Sequence, residues 1–136
     1  MNITIDWVIG FLDGRARFLV HYDPSKETLR QALTLRFEVP VGVKDTQVLY
    51  GIKKILGCGV VKRDEDKAWL VVEKDNSLKI LVEFLLNHPL KTKKNIVAKK
   101  FRRLVLIRGE GGWERREEIA RLVKEITQMT QEDSIG

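Results

Sequence analysis

Trp7-Val8-Ile9-Gly10-Phe11-Leu12-Asp13-Gly14-Arg15-Ala16-Arg17-Phe18 is the stretch on which the fold turns. Asp6 stands where it can cap a short helix running through Leu12. That helix is apolar on every side, so it needs partners on more than one face. After Gly14 the pattern becomes extended. Arg17 to Tyr22 is rich in β-branched and aromatic residues, and Asp23, Pro24 and Ser25 supply a turn. Leu33, Leu35, Phe37 and Val39 then alternate with Thr34, Arg36 and Glu38, which predicts a half-buried strand with one polar face.

Working outward, Asp45 is placed to cap a second helix with Val48, Leu49, Ile52, Ile55 and Leu56 at helical spacing, and Gly57 suits its end. Val60 and Val61 lead into a polar turn, Lys62 to Lys67, from which Trp69, Leu70, Val71 and Val72 return as the other half of a hairpin. Asn76 or Ser77 caps a third helix containing Leu78, Leu81, Phe84 and Leu85, with Pro89 beyond it. A fourth buries Ile96, Val97, Phe101, Leu104, Val105 and Ile107 and closes at Gly109. A fifth, from Trp113, buries Ile119, Leu122, Val123, Ile126 and Met129. The order of helix, two strands, helix, two strands, then helices predicts an α+β fold, a curved antiparallel four-stranded sheet backed by helices. Such a sheet leaves one face open as a groove for a duplex or a partner.

Composition narrows the classes. The 136 residues, 43% of them apolar and 32% charged, fit one globular domain spanning residues 1–136 and exclude a disordered or collagen-like chain. No apolar run reaches the roughly 18 residues of a membrane span, and the N-terminus lacks the pattern of a secretory signal. The expectation is a protein that is not secreted, acting in a prokaryotic cytoplasm or inside an organelle, with no membrane partner. The single cysteine, Cys58, excludes an internal disulfide and a thiolate cluster and reads as a small core residue.

The charge is local. Lys91, Lys93, Lys94, Lys99, Lys100, Arg102 and Arg103 follow one another with no acid between them and together exceed the net charge of +6. A patch of that sign points to a polyanion, and a solvated helix face is the alternative.

The opening stretch resembles the signature of the LAGLIDADG homing endonucleases, often written W-L-A-G-F-I-D-G-E-G-x-F, and agrees with it at Trp7, Gly10, Phe11, Asp13, Gly14 and Phe18. The order downstream agrees too, through Leu56-Gly57, Gly59, Trp69, His88-Pro89-Leu90 and Thr92-Lys93-Lys94, so the resemblance covers about residues 5 to 108. Ferredoxin-like RNA binders share much of the element order, and the first helix separates the two. The resemblance implies that two such helices pack together through Trp7, Gly10, Phe11 and Gly14. Because the motif occurs once, the implied assembly is a homodimer. A helix buried within one subunit's own core is the alternative. Ile9 stands where the family commonly has Ala, which would alter the helix spacing.

In active members the motif ends in an acidic residue that holds divalent metal ions, because phosphodiester hydrolysis needs hard cations and hard cations need carboxylates. Here that position is Arg15, and Ala16 replaces a glycine. Val41 falls near the place of a water-positioning polar group. Lys93 matches the basic residue beside the scissile phosphate, and Arg15 with Lys93 could grip one phosphate. Asp13 is the one acid left in the motif and is the weaker catalytic candidate. The resemblance therefore implies a DNA-binding protein with cleavage lost or impaired. No cofactor is expected, or Mg²⁺ if nuclease activity is retained, and no metal ligand is assigned.

If the family's binding mode holds, strand parity turns Arg17, Leu19, His21, Thr34, Arg36, Glu38, Val60, Lys62, Leu70 and Val72 outward. Of these Arg17, His21, Thr34, Arg36, Glu38 and Lys62, joined by Lys91 and Lys94, are the candidate contacts to double-stranded DNA. An active site-specific nuclease, a maturase-like protein binding intron RNA, and a purely structural domain are the other readings.

Overall fold

The computed structural model describes residues 2–135, the side chains through Gln131. The first helix, α1, runs Ile5–Arg15, and its cap is Thr4 rather than Asp6: the Thr4 hydroxyl accepts from the Trp7 N–H at 3.1 Å. A threonine one turn before the first buried residue satisfies an orphan donor, whereas Asp6 lies inside the first turn and favours the helix through its dipole. Nor is α1 buried all round. Val8, Ile9 and Leu12 enter the core, while Trp7 is 41% exposed and a Cβ built on Gly10 or Gly14 would meet nothing within 4 Å. Ile9 therefore packs inside its own subunit and does not set the spacing of an outer helix pair.

Two hairpins follow. Strands β1 (Arg17–Tyr22) and β2 (Leu33–Gly42) pair antiparallel, with Phe18 opposite Phe37. A one-turn helix, α2 (Leu29–Ala32), interrupts their connection; it is capped by the Thr28 hydroxyl and is too short to leave a periodic signal in the sequence. Strand β2 continues past Val39 into a 3₁₀ turn at Val43–Asp45, then helix α3 (Thr46–Leu56). Gly57 ends α3 in the left-handed conformation (φ +78°), as its position predicted. Strands β3 (Val60–Arg63) and β4 (Lys67–Val72) form the second hairpin, its loop held by the Asp64 carboxylate accepting from the N–H groups of Asp66 and Lys67, both at 2.8 Å. The sheet order is β1-β2-β4-β3, all antiparallel.

Three further helices complete the chain: α4 (Asp75–Asn87), α5 (Lys94–Glu110) and α6 (Arg116–Ile135). The start of α4 is not capped by Asn76 or Ser77. Lys74 occupies the cap position, and Asp75 in the first turn is held by Arg30 at 2.5 Å and Arg108 at 2.7 Å. Helix α5 runs through Gly109, which has helical geometry, and closes at Gly111, also left-handed (φ +78°). Ile96 lies on the solvent side at 49% exposure, and Trp113 precedes α6 in a turn. Among the described residues no helix is long and apolar enough to cross a membrane.

One sheet face carries the core. Phe18, Leu35, Phe37, Val39, Leu70 and Val72 join Val8 and Leu12 of α1, Leu49 and Ile52 of α3, Leu78 and Leu81 of α4, and Phe101 and Leu104 of α5. Phe18 sits between Phe37 and Phe101, at ring-centroid separations of 5.1 and 5.0 Å. Cys58 belongs to this core, and its burial pushes the thiol up to about 11. Removing the central ring tests the arrangement: Phe18→Ala should cost about 3–5 kcal/mol in urea unfolding.

Candidate nucleic-acid interface

The second sheet face is open. Register places Arg17 opposite Glu38, Leu19 opposite Arg36 and His21 opposite Thr34, and carries Val60, Lys62, Trp69 and Val71 on that same face. This corrects the parity expected for β4. Leu70 and Val72 are fully buried against the helices, while Trp69 and Val71 turn toward the open side. The cross-strand pairs Val60↔Val71 and Lys62↔Trp69 fix this register, and no pattern of apolar residues within the short run Ala68 to Val72 reveals it. Val41 likewise belongs to the core, with Pro40 and Gly42 flanking it on the open side, so neither Val41 nor its neighbours offer a polar side chain there.

Four of the expected contacts meet in one chain of charge across the open face. Arg17 lies 3.6 Å from Glu38, Glu38 lies 3.3 Å from Arg36, and Glu73 joins Arg36 at 3.9 Å to Lys62 at 3.6 Å. Glu38 is only 8% exposed between its two guanidiniums. Glu73, just beyond β4, gave no periodic signal of its role. His21 and Thr34 are exposed at the far end of the β1–β2 hairpin, away from this network.

At the near end, α1, β1 and α5 converge. The Asp13 carboxylate accepts from the Lys91 N–H at 2.7 Å, the Thr92 N–H at 3.1 Å and the Thr92 hydroxyl at 2.7 Å. The Thr92 hydroxyl in turn accepts from the Lys94 N–H at 3.2 Å. The end of α1 is thereby tied to the start of α5, which brings Lys93 and Lys94 to the end of the sheet where Arg15 stands. Burial acts to raise the Asp13 pKa, but the hydrogen bonds from Lys91 and Thr92, helped by Lys94, outweigh it and hold the carboxyl below its ordinary value. Thr92 stood in the sequence as part of a basic run and carried no sign of this contact.

Arg15 is exposed, and its guanidinium lies over the Phe11 ring at 5.5 Å, while Phe11 stacks on Trp7 at 5.0 Å. Beside it opens a cavity of about 870 Å³ whose lining includes Arg15, Arg17, Lys67, Lys94, Trp69 and Gln131. The basic run between Lys91 and Arg103 thus divides. Lys91, Lys93 and Lys94 stand at this end, whereas Lys100 pairs with Glu125 and Arg103 with Glu118 of α6.

A divalent cation needs carboxylate oxygens with free lone pairs. Asp13 has both oxygens committed to donors, Glu38 is held between Arg17 and Arg36, and the motif's last side chain is itself a cation. Among the described residues no cluster of three His, Cys, Asp or Glu could hold a metal ion. The described donors of one subunit do not fit one.

A helix that ends at the edge of an open antiparallel sheet, with a single αββαββα unit around it, defines the homing-endonuclease class of fold. The LAGLIDADG endonuclease family model matches residues 8–105, and the chain belongs to that family. It is 33% identical to the homing endonuclease I-TnaI, whose crystal structure covers 97% of this chain and 99% of its own, with a TM-score of 0.79. The archaeal intron-encoded homing endonuclease I-Vdi141I, solved in complex with DNA, shares the fold at 21% identity and a TM-score of 0.79, over 91% of this chain and 82% of its own. A probable intron-encoded endonuclease 4 from Neurospora crassa is 32% identical over 92 residues, which is 65% of this chain but 15% of that relative's length.

Asp13 gives the site its test. Asp13→Asn should destabilise the protein by on the order of 1 kcal/mol near neutral pH, since a charged acceptor of several hydrogen bonds is lost. Because the folded-state pKa is depressed, this contribution is full above the ordinary carboxyl value of 3.8 and disappears as pH falls through the lower folded value. Urea unfolding of the two proteins at pH 7 and pH 3 should show the gap closing.

Proposed function

We propose that this protein is a homodimer that binds double-stranded DNA on its open sheet faces and has lost metal-dependent cleavage. The observation that carries the reading is Arg15, a cation at the motif's acidic position, exposed at the end of α1 beside a cavity lined by Arg17, Lys67 and Lys94. The match in length and sequence to I-TnaI supports a protein built around one motif, and the stripe of exposed Trp7, Gly10 and Gly14 with half-buried Phe11 supports a second α1 as its partner. Relatives of the same fold have been solved with DNA, among them I-Vdi141I and I-GzeII.

Affinity and readout divide between groups of residues. Lys93 and Lys94, with Arg15, supply charge for the phosphate backbone near the centre of the complex. Arg17, Arg36 and Lys62 present donors to base edges, while Glu38, buried between Arg17 and Arg36, and Glu73 fix their rotamers in advance. His21 and Thr34 extend that surface outward. Lys91 gives its N–H to Asp13 and keeps its ammonium exposed. Hydrolysis is lost because the motif ends in the Arg15 guanidinium where a metal would need a carboxylate, and among the described residues Asp13 is already held by Lys91 and Thr92.

The test pairs binding with cleavage, on duplexes selected from a random library by the protein itself. Binding should weaken steeply with salt, and Lys93→Ala should reduce the slope of log affinity against log salt by about one. No strand scission should follow with Mg²⁺ or Mn²⁺. Scission that Asp13→Asn or Arg15→Ala abolishes would overturn the loss of cleavage, and preferential competition by RNA would overturn the DNA assignment.

A further inference from the structure

We infer that the ends of two α1 helices form one anion site shared between subunits, and that filling it with a phosphate or sulfate-like dianion is coupled to dimerisation. This rests on the homodimer proposed above and adds a ligand and a linkage to it. Trp7, Phe11 and Arg15 recur every fourth residue, and Gly10 with Gly14 forms the adjacent row, so both rows lie on one side of α1. The stack of Trp7 on Phe11 and the guanidinium over Phe11 hold Arg15 against that stripe instead of leaving it free in solvent.

A second copy seated on Gly10 and Gly14 makes an isologous contact, so its Arg15 approaches the same two-fold axis. Among the described residues Arg15 has no carboxylate within ion-pair distance, so a two-fold contact brings two guanidiniums together beside a cavity that Lys67 also lines. The partial negative charge at the end of α1 amounts to about half a unit and offsets only part of this. Like charges brought together at an interface oppose association. A dianion between two guanidiniums removes the opposition and gains paired charge-assisted hydrogen bonds. Linkage then requires that the anion tighten the dimer by the factor by which the dimer tightens the anion. An acid at position 15 would demand the reverse, a cation.

Sedimentation equilibrium of the full chain in NaCl and in Na₂SO₄ at matched ionic strength tests the linkage. The wild-type dimer should be about tenfold tighter in sulfate, within the usual range of coupling. Arg15→Ala should dimerise equally in both salts, which separates the site from sulfate's general effect on burial. Arg15→Glu should dimerise more weakly than wild type without divalent ions, ignore sulfate and recover with Mg²⁺. A short duplex that reproduces the sulfate effect identifies backbone phosphate as the occupant, and sulfate acting alone identifies a free dianion; either supports the shared site. A wild-type dimer of equal strength in both salts, or a sulfate response that persists in Arg15→Ala, overturns the inference and leaves the dimer standing. A chain that stays monomeric in every condition overturns the dimer itself.

Discussion

The Asp13 carboxylate determines how the two halves of this surface meet. Three donors from Lys91 and Thr92 converge on it across 78 and 79 positions of sequence. Through them the end of the first helix fixes the start of the fifth. Without that tie, Lys93 and Lys94 would sit on a loop after Pro89, free to adopt many arrangements. With it they begin a helix whose buried face, Val97 to Ile107, locks into the same core as Phe18 and Phe37. A hydrogen-bonded carboxylate at a helix end thus converts a charged loop into a placed set of cations.

The open sheet face solves a different electrostatic problem. Five charged side chains alternate in sign from Arg17 to Lys62, so the face is close to neutral although the protein is basic. The outer pairs, Arg36 and Lys62 with Glu73, are solvated and add little to stability. Their effect is on conformation: each guanidinium is held by a carboxylate before any ligand arrives, which lowers the entropy lost on binding. The excess positive charge lies where backbone phosphate is expected to run, at the start of α5 and the end of α1. On the far side of α5, Lys100 and Arg103 are spent on α6, so the run of cations that stood out in the sequence serves two ends, one of them intramolecular.

The fold was legible because its signals were local. Helical spacing located α3, α4 and α5, alternation located β2, and the motif placed α1 against a hairpin. What the sequence could not disclose depended on partners distant along the chain. Parity in β4 follows from pairing with Val60 and Lys62 across a tight loop, and within Ala68 to Val72 nearly every residue is apolar, so either face was consistent with burial until the register was known. The cap of α4 was misread because Asp75 is stabilised by Arg30 and Arg108 rather than by the residues beside it. The candidate site divides in the same way. Arg17, Arg36, Glu38 and Lys62 were found by alternation, whereas Thr92, Glu73 and Trp69 acquire their places only through tertiary contact.

The two positions that could have carried acid at the end of α1 are under different physical constraints, and this explains how one could change while the other stays acidic. Asp13 is tied to backbone N–H groups, which only a proline at position 91 or 92 would remove, so its replacement leaves donors without their acceptor and loosens the start of α5. Position 15 faces outward, and its guanidinium lies over the Phe11 ring. Nothing in the subunit's own packing requires an acid there. The charge at position 15 is therefore set by what the end of the helix meets outside the subunit, and exchanging carboxylate for guanidinium alters the ligand's sign while leaving the fold intact. A cation also suits the C-terminal end of a helix better than an anion does. A guanidinium there removes a local electrostatic cost along with the carboxylate that a metal would require.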